Sequence, residues 1–158
     1  MTSIPTPGAA DIEALADSLS DSADALHRRI MAAIRKNATT AGQAISHAEA
    51  QALFGQEIAL RQQANALYAD ATGFAAGGLA VPARRLLDLA ARARERIRCI
   101  ERARELAGIA AALLNAAAAV AALKPEALAP ALEDLKEHIE ALPDTDKPSS
   151  IQPAAGIQ

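Results

Sequence analysis

The sequence predicts an all-α chain: an antiparallel four-helix bundle built on a long helical hairpin, with disordered termini. Three observations carry that expectation. Alanine supplies 43 of the 158 residues, and alanine is the best helix former and a poor strand former. Phe, Tyr and Trp number 2, 1 and 0, so the core must be built from Leu, Ile and Ala. Apolar residues also recur every three or four positions over most of the chain, the spacing of one helix face.

Residues 1–8 hold two prolines and a glycine and read as a flexible leader. The helical domain is expected over 9–142. Its first helix is expected from about 9 to 36, where Ile12, Leu15, Leu19, Ala23, Leu26, Ile30 and Ile34 form one stripe. Acids fill its first half, and Arg28, Arg29, Arg35 and Lys36 its last turns. Both placements suit the helix dipole.

Asn37 to Thr40 interrupt the pattern, and Thr40 with Gln43 makes a capping box that would start the second helix near 41. Leu53, Leu60, Leu67 and Phe74 fall seven apart, a coiled-coil-like seam. The stretch TGFAAGGLAVP then marks a turn, with Pro82 expected at the first position of the next helix. That helix is expected to run unbroken from 82 to 123, roughly 60 Å at 1.5 Å per residue. Its apolar stripe changes phase part-way, from Leu86, Ala90, Ala93, Ile97 and Ile100 to Leu106, Ile109, Leu113, Ala116, Val120 and Leu123. Gly108 sits just past the change, where a bend would be cheapest.

Lys124-Pro125 ends the helix, and Pro130 is expected to open the last one, with Leu128, Leu132, Leu135, Ile139 and Leu142 as its stripe. Residues 143–158 hold three prolines and no periodicity, and read as a disordered tail.

The stretch LAGIAAALLNAAAAVAAL, residues 106–123, has no charge and poses a choice between membrane and core. Eighteen residues reach roughly 27 Å, barely a span. Its six Leu, Ile and Val supply about −2 to −3.5 kcal/mol of insertion energy, while Asn115 and Gly108 oppose it and no Trp or Tyr anchors its flanks. A buried helix explains the same residues better, so Leu106, Ile109, Leu113, Val120 and Leu123 are expected in the core, with membrane insertion as the alternative.

Net charge is −3, too small to draw the chain to nucleic acid or anionic lipid. Residues 84–105 concentrate eight arginines, of which Arg84, Arg85, Arg92 and Arg96 are the candidate contacts to an acidic partner or anionic surface. Acids at 88, 95, 101 and 105 lie three or four positions from many of them, the usual look of a solvated helix. Lone Cys99 has no visible base, and His27, His47 and His138 fall on three separate helices. Asp24-x-x-His27 is the one acid–histidine spacing of metal-bundle type. No catalytic, cofactor or metal motif is present.

One cysteine excludes an internal disulfide, and MTSIPTPGAAD has neither the basic nor the apolar region of a signal peptide. The expected compartment is the cytoplasm, with signal-independent export left open. In composition the chain resembles proteins from GC-rich bacteria. The expected function is a non-enzymatic interaction or scaffolding module (an adaptor, chaperone-like accessory or assembly subunit) with a protein partner or itself, without nucleic acid, cofactor or small-molecule substrate. The alternative is a soluble helical protein that enters membranes through residues 106–123.

Overall fold

The computed structural model describes residues 8–39 and 44–141. Apart from Gly8, the expected leader lies outside those residues, as do the Thr40–Gln43 cap, Leu142 and the expected tail. The described residues form six helices and no strand: α1 (Ala9–Asn37), α2 (His47–Ala69), α3 (Ala71–Ala76), α4 (Ala80–Cys99), α5 (Ala103–Ala121) and α6 (Pro125–Ala141).

Each start has a local cause. Gly8 caps α1 at φ 89, and a Cβ there would lie 2.4 Å from the Ala80 Cβ. Only glycine satisfies both the left-handed backbone and that close approach. Helix α2 begins not near 41 but at His47. Its capping box is Ser46 and Glu49: the Glu49 N–H donates to Ser46 Oγ (3.1 Å) and the Ser46 N–H to Glu49 Oε1 (2.9 Å). The Asn37 side chain ties the approach together, donating to the Ile45 carbonyl at 2.8 Å and accepting from the Ala44 and Ile45 N–H groups.

Phe74 lies in the short helix α3, capped by Asp70, rather than at the end of α2. Pro82 is the third residue of α4, not the first. The last helix opens at Pro125, five residues before Pro130, which lies inside it. Proline suits a first turn because the N–H it lacks would be unpaired anyway, and Pro125 takes that place.

The largest correction concerns the helix expected over 82–123. It is two helices, and the break is at Ile100–Arg102 rather than Gly108. Ile100 and Arg102 are extended, with ψ 129 and 125. The Arg29 guanidinium of α1 donates to the Ile100 carbonyl, at 2.9 Å from Nε, so a backbone group freed by the break is satisfied. Gly108 lies within α5.

Side-chain registers give the helix directions. Pairs Asp24–Arg61 and Asp17–Tyr68 run α2 antiparallel to α1. Pairs Asp11–Arg84 and Ser18–Arg94 run α4 parallel to α1, and Arg85–Glu133 with Arg92–Glu140 run α6 parallel to α4. The sharp turn at 122–124, together with His138 beside Gly108, makes α5 and α6 antiparallel. The chain therefore reverses at 100–102, and the expected 60 Å hairpin arm is folded in two.

Helix α1 packs on α2 and α4, and α5 packs on α6, α2 and α4. The α1 stripe is buried from Ile12 to Ile30, as are Leu53, Leu60 and Leu67 of α2 and Leu86 and Ile97 of α4. Helix α5 is long and apolar enough, by length and composition, to cross a membrane, and more than half of that stretch is buried against protein. Leu106, Ile109, Leu113 and Val120 are buried as expected, whereas Leu123 is 54% exposed. It is corrected from core to surface because it sits in the turn leaving α5, at φ 56.

Candidate interaction surface

Four arginines of α4 are engaged with neighbouring helices. Arg84 donates to Asp11 of α1 at 2.9 Å, while Arg85 and Arg92 lie 3.5 and 4.0 Å from Glu133 and Glu140 of α6. Asp11, foremost by its hydrogen bond, raises the Arg84 pKa further. Arg94 donates to Ser18 Oγ, and Arg98 pairs with Glu95. Arg96 also has a partner. Of the candidates Arg84, Arg85, Arg92 and Arg96, the first faces α1 while Arg85 and Arg92 face α6, so they do not all converge on one spot. Exposed ion pairs of this kind contribute little each to stability, but they report helix register.

Between α1 and α2 lies a second charged group. Glu57, 8% exposed, is hydrogen-bonded by His27 Nδ1 at 2.8 Å and by Arg61 Nε at 3.1 Å. Arg61 Nη2 also donates to Asp24 at 2.8 Å, and that bond, above all, raises the guanidinium pKa, with Glu57 adding to it against partial desolvation. Asp24 and His27 thus take different partners, and the spacing that suggested a metal pair is used for packing. Among the described residues no three His, Cys, Asp or Glu are grouped to hold a metal. His138 faces a groove of about 480 Å³ with Arg104, Glu105, Gly108, Ile109 and Ala141. Cys99, at the end of α4, is exposed.

The outward side of α2 is a surface that the apolar spacing does not single out. Its buried side is the Leu53, Leu60, Leu67 seam. On the opposite side stand Ala48, Gln51, Ala52, Gly55, Ile58, Gln62, Asn65, Ala66 and Ala69, all exposed, with half-buried Ala59 among them. At 100° per residue these cover one face. After Glu49 no exposed residue of α2 is charged: Glu57 is buried, and Arg61 is directed at Asp24 and Glu57.

Two residues on that face stand out. Ile58 is 56% exposed, a branched apolar side chain at the middle of the helix. Gly55 lies within the helix, and among the described residues a Cβ there would meet nothing within 4 Å. A helix-interior glycine costs about 0.5 to 1 kcal/mol relative to alanine, and nothing among the described residues requires it. The signal was present in the sequence, as a glycine inside a heptad pattern and a run from Ala50 to Ala69 with two charges only. The leucine seam on the other side is the stronger pattern along the same helix.

No protein-family model, curated protein or solved structure matches this chain at a significant level of similarity.

Proposed function

We propose that this chain is a non-enzymatic interaction module, a helical bundle that docks another helix along the outward face of α2. The observation that supports it is the neutrality of that face over five turns, where α1, α4 and α6 carry charge on their outer sides. A solvated helix carries charge on its outer side; a helix whose outer side is small, amide and apolar is suited to a second layer of protein. Gly55 lets a neighbouring backbone approach, and Ile58 supplies the apolar anchor.

The test is a photo-crosslinking residue at position 58 of the full chain in its native cells, with the same residue at the charged position Glu137 of α6 as control. A discrete adduct from position 58 and none from 137 is the expected result. Equal labelling from both positions, or none from 58, overturns the reading.

The second reading, membrane association through residues 106–123, is supported by the length and composition of α5 alone. It requires α6 to leave α5 and expose Ile109 and Leu113. Flotation with anionic liposomes tests it: retention of the protein in the aqueous fraction eliminates it.

A further inference from the structure

We infer that the occupant of the α2 face is the α2 face of a second copy of this chain, packed antiparallel about a twofold axis that passes between Ile58 and Ala59. This deepens the interaction reading above and rests on it.

The argument is one of self-complementarity. A twofold interface places a surface against itself, so residue i meets j and j meets i. A charged face would set like charges against each other, and this one has none to oppose. Set at 100° per residue, the face has two edges and a centre. One edge carries Gln51, Ile58 and Asn65, the other Ala52, Ala59 and Ala66, and the centre Gly55 and Gln62. About the proposed axis each edge meets its own equivalent.

The partners that result are chemically matched throughout. Ile58 meets Ile58 of the second copy next to the axis, an apolar pair. Gln51 meets Asn65 on each side of it, and two amides exchange donor and acceptor. The alanine edge meets the alanine edge, which permits a close approach of the two backbones. In the centre Gln62 lies over Gly55, whose missing side chain makes room for it. A parallel arrangement would set Gly55 against Gly55 and Gln62 against Gln62, leaving a void at one level and a clash at the other. The antiparallel arrangement also opposes the two helix dipoles.

Size sets the strength. Helix α2 has 23 residues and is about 34 Å long, with a face about 10 Å wide. Such a strip falls in the small class of interface, under about 1,200 Å² in total, typical of weak and reversible partners. A dimer that dissociates on dilution is therefore expected, with a dissociation constant of roughly 1 to 100 µM.

Sedimentation equilibrium of the full chain from about 10 µM to about 1 mM, spanning that range, tests this. A reversible monomer–dimer equilibrium is expected, weakened at least about tenfold by Ile58→Glu, with unchanged helicity and melting of the dilute monomer. A covalent test needs no change of charge. In a Cys99→Ser background, Ile58→Cys should form a disulfide-linked dimer under mild oxidation, and Val81→Cys, at a 74% exposed site, should not. A chain that stays monomeric to about 1 mM, or equal cross-linking of the two cysteine variants, overturns the second copy as occupant. The interaction reading then stands or falls separately, on whether position 58 gives an adduct with a different protein.

Discussion

Tyr68 is the single tyrosine of a chain without tryptophan, so ultraviolet absorbance reports this one phenol. Its O–H donates to the Asp17 carboxylate of α1, and that bond raises its pKa above the ordinary phenol value. Partial desolvation and nearby Asp21 act in the same direction, and Ser20 opposes them. An absorbance titration should therefore place the midpoint above about 10, and Asp17→Asn should bring it back toward that value. A group whose pKa is raised on folding stabilises fully below its unfolded pKa, and that contribution disappears as pH rises through the folded one. The Tyr68–Asp17 link thus holds at neutral pH and is lost in strong alkali. An unshifted midpoint in the native protein would show the link to be absent. At this scale the sequence was a poor guide. The Asp24-x-x-His27 spacing along one helix gave no hint that α2 supplies their partners, Arg61 for Asp24 and Glu57 for His27.

Helix existence was largely legible, since the stripes of α1, α2, α4, α5 and α6 all face the core as expected. Helix ends were not. Ile100–Glu101–Arg102 contains neither Gly nor Pro, so local chemistry offers no stop signal there. The reversal is imposed by packing and satisfied by Arg29 from a distant part of the chain. The change of phase between the two stripes was its trace in the sequence. Arg29→Met should loosen this corner by about 1.5 kcal/mol, the low end for a charged hydrogen bond because the site is part-exposed. A matching drop in the urea midpoint checks it.

The turn leaving α5 offers the opposite change. The Leu123 N–H donates to the Val120 carbonyl and the Lys124 N–H to the Ala119 carbonyl, the paired bonds of a Schellman motif. Its left-handed position, usually glycine, is Leu123 at φ 56. Leu123→Gly relieves that strain, offset in part by the freer unfolded chain, for a net gain of about 0.5 to 1 kcal/mol. Thermal melting measures it, and a lower melting temperature would mean that the exposed side chain contributes more than the strain costs.

Across the whole molecule, stability rests on many small alanine contacts with a few large anchors. Leu113 is one of the largest fully buried side chains, so Leu113→Ala should cost about 2 to 5 kcal/mol. In a core this poor in aromatic residues that is a large share of the usual 5 to 15 kcal/mol for a domain. A melting curve that barely moves would place residues 106–123 outside the core and revive the membrane reading. The interaction face shows the reverse economy: Gly55→Ala should stabilise the monomer by about 0.5 to 1 kcal/mol while weakening its association.

The pairing of α1 with α4 also has a consequence in time. The contacts Asp11–Arg84 and Ser18–Arg94 span 73 and 76 residues, whereas α5 and α6 are joined through a three-residue turn. Loop closure grows costlier with the length enclosed, and distant contacts slow folding. On a chain made from its N-terminus, α1 is complete before α4 exists, with only α2 and the short α3 to cover its apolar stripe. The α1–α2 hairpin must then wait, one edge uncovered, until the parallel partner emerges, and closure of that edge is the step expected to limit the rate.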